Sequence, residues 1–541
     1  MAIAAAESVR QSRKPGALPE ALVIVALVVA SLVFLLLFNN ILRTYYKHVG
    51  SYGGLLAALP FLVTAAGAML FARERYTQFV PLLRIALRSS GIGLLVYLLI
   101  EPPDFTLAVT DFHGQARYVH MAYYAAVGLA AASIFAPAFI VPVAIYIISA
   151  RRLIDGISGL PSSLLDVHYM LDMAVYLTVF GLVGRRLVGS RLSLWASGER
   201  QQEIALIAFG LHLGNYFWSG IAKLLVGPYF WTWAIENRTH NLIPYALEKG
   251  ALPIGHIPWL TQFAYDTTEF AITPVNIAIV AVQLFAIICV LRLLWLKVAT
   301  ILYDVLHVGI YVLSGILFWP WIWNNFTILL AARTQRAEIS KQAQMACILT
   351  ILLSNPHFGL YKAAWLAWFD VADARQLYVE AVTDQGRATV PPSFFLSHSF
   401  SVSLGYMDTS SHEGQYDHTN WNAARLYARQ ASSGTCPPPS PDRARVDTAE
   451  MRTARLERIH RFLRAHHAKM LEREATFGKH TYYFRMHHHP SNPYLFPKFG
   501  SLNLADVRAY DLVLESVCHD IQNGRVIKRV VGRTVEHFDV R

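Results

Sequence analysis

Between Ala21 and Phe38 the chain runs for 18 residues, ALVIVALVVASLVFLLLF, without one charged side chain. As a helix rising 1.5 Å per residue, such a run nears the roughly 30 Å hydrocarbon thickness of a bilayer. A cleaved signal peptide would have a shorter apolar core and a small-residue cleavage site, and none follows Phe38. Further apolar segments recur at about 54–72, 79–100, 121–149, 163–184, 202–226, 274–296, 298–319 and 345–354, with Pro137 and Pro142 placed to kink or split one of them. Charged residues make up only 15% of the chain, where a soluble domain carries about 25%. The net charge of +11 is therefore expected to sit in loops facing lipid headgroups, not on nucleic acid. The expected fold is an all-α polytopic membrane domain of about 8–9 transmembrane helices over residues 21–355, preceded by a polar segment 1–20 and followed by a smaller α+β extramembrane domain over 356–541.

Past residue 356 no stretch is apolar enough to span. Residues 376–392, QLYVEAVTDQGRATVPP, read as two strands around a Gly-containing turn. Residues 447–475 read as a charged surface helix with Met451, Leu456, Ile459, Leu463 and Met470 as its apolar face. KHTYYFRM and GRVIKRVVGRTVEHFDV read as strands. The run His487-His488-His489, with His466, His467 or His480, is a weak metal candidate, because three consecutive side chains on a strand alternate in direction. No metal is expected. His398, His412, Glu413 and His418 form a second polar cluster, read as a solvated loop. Cys436 and Cys518 are placed to pair if the tail is extracytoplasmic, while Cys289 and Cys347 lie in apolar runs. Asn237-Arg238-Thr239 is a glycosylation sequon. By the positive-inside rule Arg10, Arg13 and Lys14 favour a cytoplasmic N-terminus. Arg73, Arg75, Arg151 and Arg152 agree with that orientation, whereas Arg185, Arg186, Arg191 and Arg200 oppose it if every span is real.

Ionisable side chains at bilayer depth cost on the order of 2.5–3.5 kcal/mol each, so they default to functional candidates. One segment places His168 and Asp172 on one helical face, with Asp166 just before them. A second spaces His212, Asn215, Tyr216, Ser219 and Lys223 within about 60° of one meridian. Lys223 either faces the bundle or snorkels past Gly227-Pro228. A third aligns Asp304, His307, Tyr311 and Ser314. Each residue alone is as readily a structural hydrogen bonder. Three such stripes, if they converge, line a cavity in which a desolvated amine favours its neutral, proton-accepting form.

The order LLDVHYMLDMAVYL, NYFWSGIAKLLVGPYFWTW and DVLHVGIYVLSGILFWPW resembles the vitamin K-dependent gamma-glutamyl carboxylases and, more broadly, the family carrying the horizontally transferred transmembrane (HTTM) domain. The resemblance spans roughly residues 20–330. It implies that Lys223 is the base that deprotonates a reduced quinone, that His168 holds the quinol oxygen and that His307 lines the same cavity. The remaining pocket residues would be Asp172, His212, Asn215, Tyr216, Ser219, Asp304 and Tyr311. It implies a reduced, vitamin K-like quinone as cosubstrate, no metal, and carboxylase or oxygenase chemistry. The carboxylases are considerably longer, and residues 357–541 match nothing of their propeptide-binding region, which puts protein carboxylation in doubt. The partners expected are membrane lipid, a lipid-soluble small molecule and a protein or peptide at the C-terminal domain. The competing functions are a proton-coupled transporter, against which stands the lack of an internal repeat, and a membrane scaffold or maturation partner.

Overall fold

The computed structural model describes residues 20–49, 55–103, 116–158, 160, 167–187, 198–370, 373–403, 405, 407, 449–478 and 488–540. Helices α1 (Glu20–Val49), α2 (Leu55–Met69), α3 (Pro81–Ile100), α4 (Ala116–Ser133), α5 (Ile140–Ser158), α6 (His168–Leu187) and α7 (Gly198–Leu225) come first. After the short helix Leu242–Glu248 follow α8 (Pro258–Phe270), α9 (Ile272–Leu284), α10 (Leu293–Ser314), α11 (Trp319–Thr334) and α12 (Lys341–Leu353). Among the described residues five helices are long and apolar enough to cross a membrane, or six if one bent pair counts as a single span. Four shorter apolar helices, Leu55–Met69, Met121–Ser133, His168–Val183 and Lys341–Leu353, accompany them.

Two expected spans are broken; a proline explains the first break, and a second proline explains the bend that precedes the other span. A proline ring clashes with the carbonyl four residues earlier. Pro137 therefore ends α4 at Ser133, and the expected run 121–149 becomes two helices, α4 and α5. Pro274 cannot coexist with a helix continuing from Phe270, so α8 and α9 meet at a 77° bend. The expected span 274–296 then loses α geometry in the 3₁₀ turns Phe285–Ile287 and Cys289–Leu291, before α10 starts at Leu293. At the other end of α10, Gly315 adopts φ +68, and a Cβ there would lie 2.5 Å from the Ala251 carbonyl oxygen.

Helix α12 packs closely on α7 through Gly210 and Gly214, a Gly-x-x-x-Gly spacing that lets backbones approach. A Cβ on Gly210 would stand 2.8 Å from the Thr350 side chain and 2.9 Å from the Cys347 carbonyl oxygen. The chain leaves α12 at Leu353, alongside Gly214, and residues 360–370 then run on as a strap without regular secondary structure beside the rest of α7. The boundary expected at residue 356 falls at the start of this strap, which packs on the helices before the chain enters the sheet at Asp373.

The tail forms a four-stranded antiparallel sheet in the order β2-β1-β3-β4, from β1 (Asp373–Thr383), β2 (Gly386–Val390), β3 (Ala509–Gln522) and β4 (Arg525–Asp539). Leu377, Val379 and Ala381 on β1 face Leu514, Leu512 and Tyr510 on β3, and this side packs against Ile459, Leu463 and Met470 of helix α13 (Ala449–Phe477). The hairpin, the helix and β4 match the expected elements, while the central strand β3 was not anticipated. Its other face mixes the apolar Val513, Val517 and Ile521 with Asp511, Glu515 and His519, all buried, which blurs the strict alternation that marks a half-exposed strand. The strand expected at 479–486 lies outside the described residues, as do Asp166, His412, Glu413, His418, Cys436, His480 and His487. Cys518 is disulfide-bonded, and Cys289 and Cys347 are free buried thiols.

Candidate functional site

The stripe on α7 does not serve one site. Its residues separate into two environments, divided by which neighbour each turn of the helix meets.

Asn215, Ser219 and Lys223 face the strap. Asn215 Oδ1 accepts from Ala364 N at 2.8 Å. Ser219 Oγ donates to Ala364 O and accepts from Leu366 N, both at 3.2 Å. Lys223 Nζ donates to Leu366 O at 2.5 Å and lies 5.1 Å from the centre of the Trp233 ring. Trp233 Nε1 donates to Trp368 O at 2.6 Å. A buried segment without regular structure cannot satisfy its own N–H and C=O groups, so such a backbone needs protein donors and acceptors beside it. These side chains, spaced along α7, supply them. The strap ends on Asp370, whose N–H donates to Asn237 Oδ1 at 2.7 Å and whose Oδ2 accepts from Asn237 Nδ2 at 2.9 Å. Asn237 is fully buried in these bonds, so the sequon presents no acceptor for a glycan in the folded chain.

Asp172 on α6 belongs to the same system. Its Oδ1 accepts from Asn39 Nδ2 on α1 at 3.0 Å, and its Oδ2 accepts from Tyr361 of the strap at 3.2 Å. His168 stands one turn earlier, partly exposed at the start of α6.

His212 and Tyr216 point elsewhere, into a cluster built with α10 and α11. His212 Nε2 lies 3.0 Å from Asn325 Oδ1, and Asn324 Nδ2 lies 3.4 Å from His212 Nδ1. Asn325 Nδ2 donates to Tyr216 Oη and to Asp304 Oδ1, each at 2.9 Å. Tyr216 Oη is 2.8 Å from His307 Nε2 and stacks its ring on Tyr303 at 3.9 Å between centroids. Trp321 sits among the rings of His212, Tyr216, His307 and Tyr169, at 5.3–5.7 Å. Within this otherwise bonded cluster four buried polar atoms have no hydrogen-bond partner among the described residues: His307 Nδ1, Trp321 Nε1, Tyr303 Oη and Asn324 Oδ1. Such atoms are rare in folded proteins and mark a water, a ligand or a catalytic role.

The expected residues His212, Tyr216, Asp304 and His307 are thus brought together, and Lys223 is set apart from them. It lies seven positions after Tyr216 on α7, about 10 Å along the axis. Tyr311 is half-buried on α10, two turns beyond Asp304. Asn324, Asn325, Trp321 and Tyr303 were missed. The adjacent asparagines within the apolar helix WPWIWNNFTILLAART were a legible signal, since two amides at that depth require partners.

Among the described residues no group of three or more His, Cys, Asp or Glu side chains is placed to hold a metal. His466 and His467 instead bond to Phe394 O at 2.9 Å and to Tyr510 Oη at 3.0 Å in the core of the tail.

Searches against protein-family models, curated proteins and solved structures return no match to this chain. Its fold and site define it as a predominantly helical protein with helices long and apolar enough to cross a membrane, a buried polar cluster and a small C-terminal α+β region.

Proposed function

We propose that the chain is a multi-pass membrane enzyme that moves protons to and from a lipid-soluble hydroxyl compound, of the reduced-quinone class, at His307 and Tyr216. The observation that carries this is the pair of unpartnered buried groups His307 Nδ1 and Trp321 Nε1, beside a Tyr216 hydroxyl that can serve either tautomer of His307. When Tyr216 donates to His307 Nε2, Nδ1 carries the proton and donates to a substrate oxygen together with Trp321 Nε1. When Tyr216 donates instead to Asn325 Oδ1, 3.2 Å away, it accepts from Nε2–H, and the Nδ1 lone pair is free to take the hydroxyl proton. One imidazole thereby acts as general acid or general base, a contribution of roughly 10²–10⁴ in rate. A deprotonated quinol is the species that reacts with oxygen in the chemistry implied by the resemblance. Lys223 can be the base of that chemistry only if the strap withdraws from its Nζ.

The test is oxygen uptake by the purified full-length protein with a reduced quinone, alongside mass spectrometry of co-purified lipids. Uptake lost in His307→Ala supports the proposal, and the absence of both bound quinone and uptake sinks it. A proton-coupled transporter is the second reading, favoured by the α12–strap unit, because a helix continued by non-helical backbone is a recurring way to build transport sites. Proton flux in liposomes without quinol turnover would select it.

A further inference from the structure

Helix α10 turns most of its surface outward. Ile301, Val305 and Val308 are 50–63% exposed, and all are apolar, as expected of a face toward lipid. Asp304 sits beside this face, half-buried, about 16 Å from either end of the 22-residue helix. Its Oδ1 accepts from Asn325 Nδ2, and among the described residues Oδ2 has no hydrogen-bond partner. Asn325 connects Asp304 directly to Tyr216, and Tyr216 to His307. A carboxyl at mid-helix bordering an apolar outer face is costly and has no structural need for a second free oxygen.

We propose that the buried cluster opens sideways to the bilayer at Asp304, and that its carboxyl is the first group met by a lipid-soluble hydroxyl compound entering between α10 and α11. The inference rests on the enzymatic reading for the identity of that compound, but not for the opening itself. The free Oδ2 accepts the incoming hydroxyl, Asn325 holds the carboxyl in place, Tyr216 lies one bond beyond Asn325, and His307 one bond beyond Tyr216.

The opening is tested with the full-length protein in native membranes, treated with a hydrophobic carbodiimide or with a water-soluble one, followed by peptide mass spectrometry. The hydrophobic reagent should modify Asp304 and spare Asp172, which is 2% exposed. The water-soluble reagent should modify tail carboxylates and leave Asp304 several-fold slower. Asp304→Asn should abolish the adduct while keeping an oxygen for Asn325. Equal modification of Asp304 by both reagents would show that it faces water, and no modification would show that it is closed; either overturns the opening. A short-chain quinol, kept reduced, should slow the labelling. Labelling that the quinol does not slow supports the opening and counts against the quinol, which separates the two ideas.

Discussion

Asn215→Leu distinguishes a strap anchor from a substrate-binding group. The substitution preserves approximate size and removes the acceptor that Ala364 N uses at 2.8 Å. Asn215 is 0% exposed, so no water replaces it, and the amide is left unsatisfied at a cost of about 1–3 kcal/mol. Hydrogen bonds between membrane helices average only about 0.6 kcal/mol, because unfolded helices in the bilayer find other partners. A non-helical strap lacks that alternative, which favours the upper part of the range. Ser219→Ala strips both Ala364 O and Leu366 N of a partner, so it should cost at least as much. The double variant should fall short of the sum, since a strap detached at one turn no longer depends on the next. The assay is thermal unfolding in detergent, paired with the apparent affinity for the lipid-soluble substrate. Lower melting temperatures with unchanged affinity are expected. Unchanged melting temperatures with weakened affinity in both single variants would show that these residues line the pocket after all.

Lys223→Arg should keep turnover, because a guanidinium still donates to Leu366 O; a dead but folded Lys223→Arg would restore the lysine to the role of base. In the tail, burial raises Glu515, but hydrogen bonds from Lys528 and Tyr378 outweigh it and hold the carboxyl below its ordinary 4.5. A depressed folded value means stability that is complete above pH 4.5 and lost as pH falls through that folded value. Glu515 on β3 thereby ties Lys528 of β4 and Tyr378 of β1 together, so acid should loosen the sheet around it, read by fluorescence, and Glu515→Gln should flatten that acid transition.

How much of this was legible follows from periodicity. The membrane-type helices announce themselves by unbroken apolar runs, and the hairpin around Gly386 and the amphipathic α13 by the spacing of their apolar residues. The α7 stripe was equally legible as a line of polar groups, but spacing reports only a face, not what lies against it. The neighbour of Asn215, Ser219 and Lys223 is a segment about 150 residues away in sequence with no regular structure of its own, and nothing local in YKAAWLAWFD marks it as a strap. The cluster at His307 was half visible for the same reason, since its asparagines come from α11 and meet α7 only in the folded chain.

The sidedness of the protein turns on Pro137. Reading 121–149 as one span places Arg151 and Arg152 with the cytoplasmic charges and Arg200 against them. Splitting it into α4 and α5 reverses the assignment for everything downstream. The contacts agree with the split. Arg200, at the start of α7, pairs with Glu20 at the start of α1, and Val80 N, at the start of α3, donates to Gln201 Oε1 at 2.9 Å. The end holding Arg200 is therefore the end from which α1 begins, just after the basic residues Arg10, Arg13 and Lys14. Arg151 lies at the opposite end and is not a free loop charge, because it is buried in an ion pair with Glu101 at 3.0 Å. The tail joins that opposite end, where Leu317 N donates to His488 O at 2.9 Å. We therefore propose that the start of α1 is cytoplasmic and that the tail is extracytoplasmic, an assignment with which the disulfide at Cys518 agrees, since such bonds persist in oxidising compartments. A membrane-impermeant maleimide applied to intact cells should label Arg529→Cys at once and Arg75→Cys only after permeabilisation. The reverse order would invert the topology, and immediate labelling of both would mean that α3 and the tail share a side and that the Pro137 split does not count as two crossings.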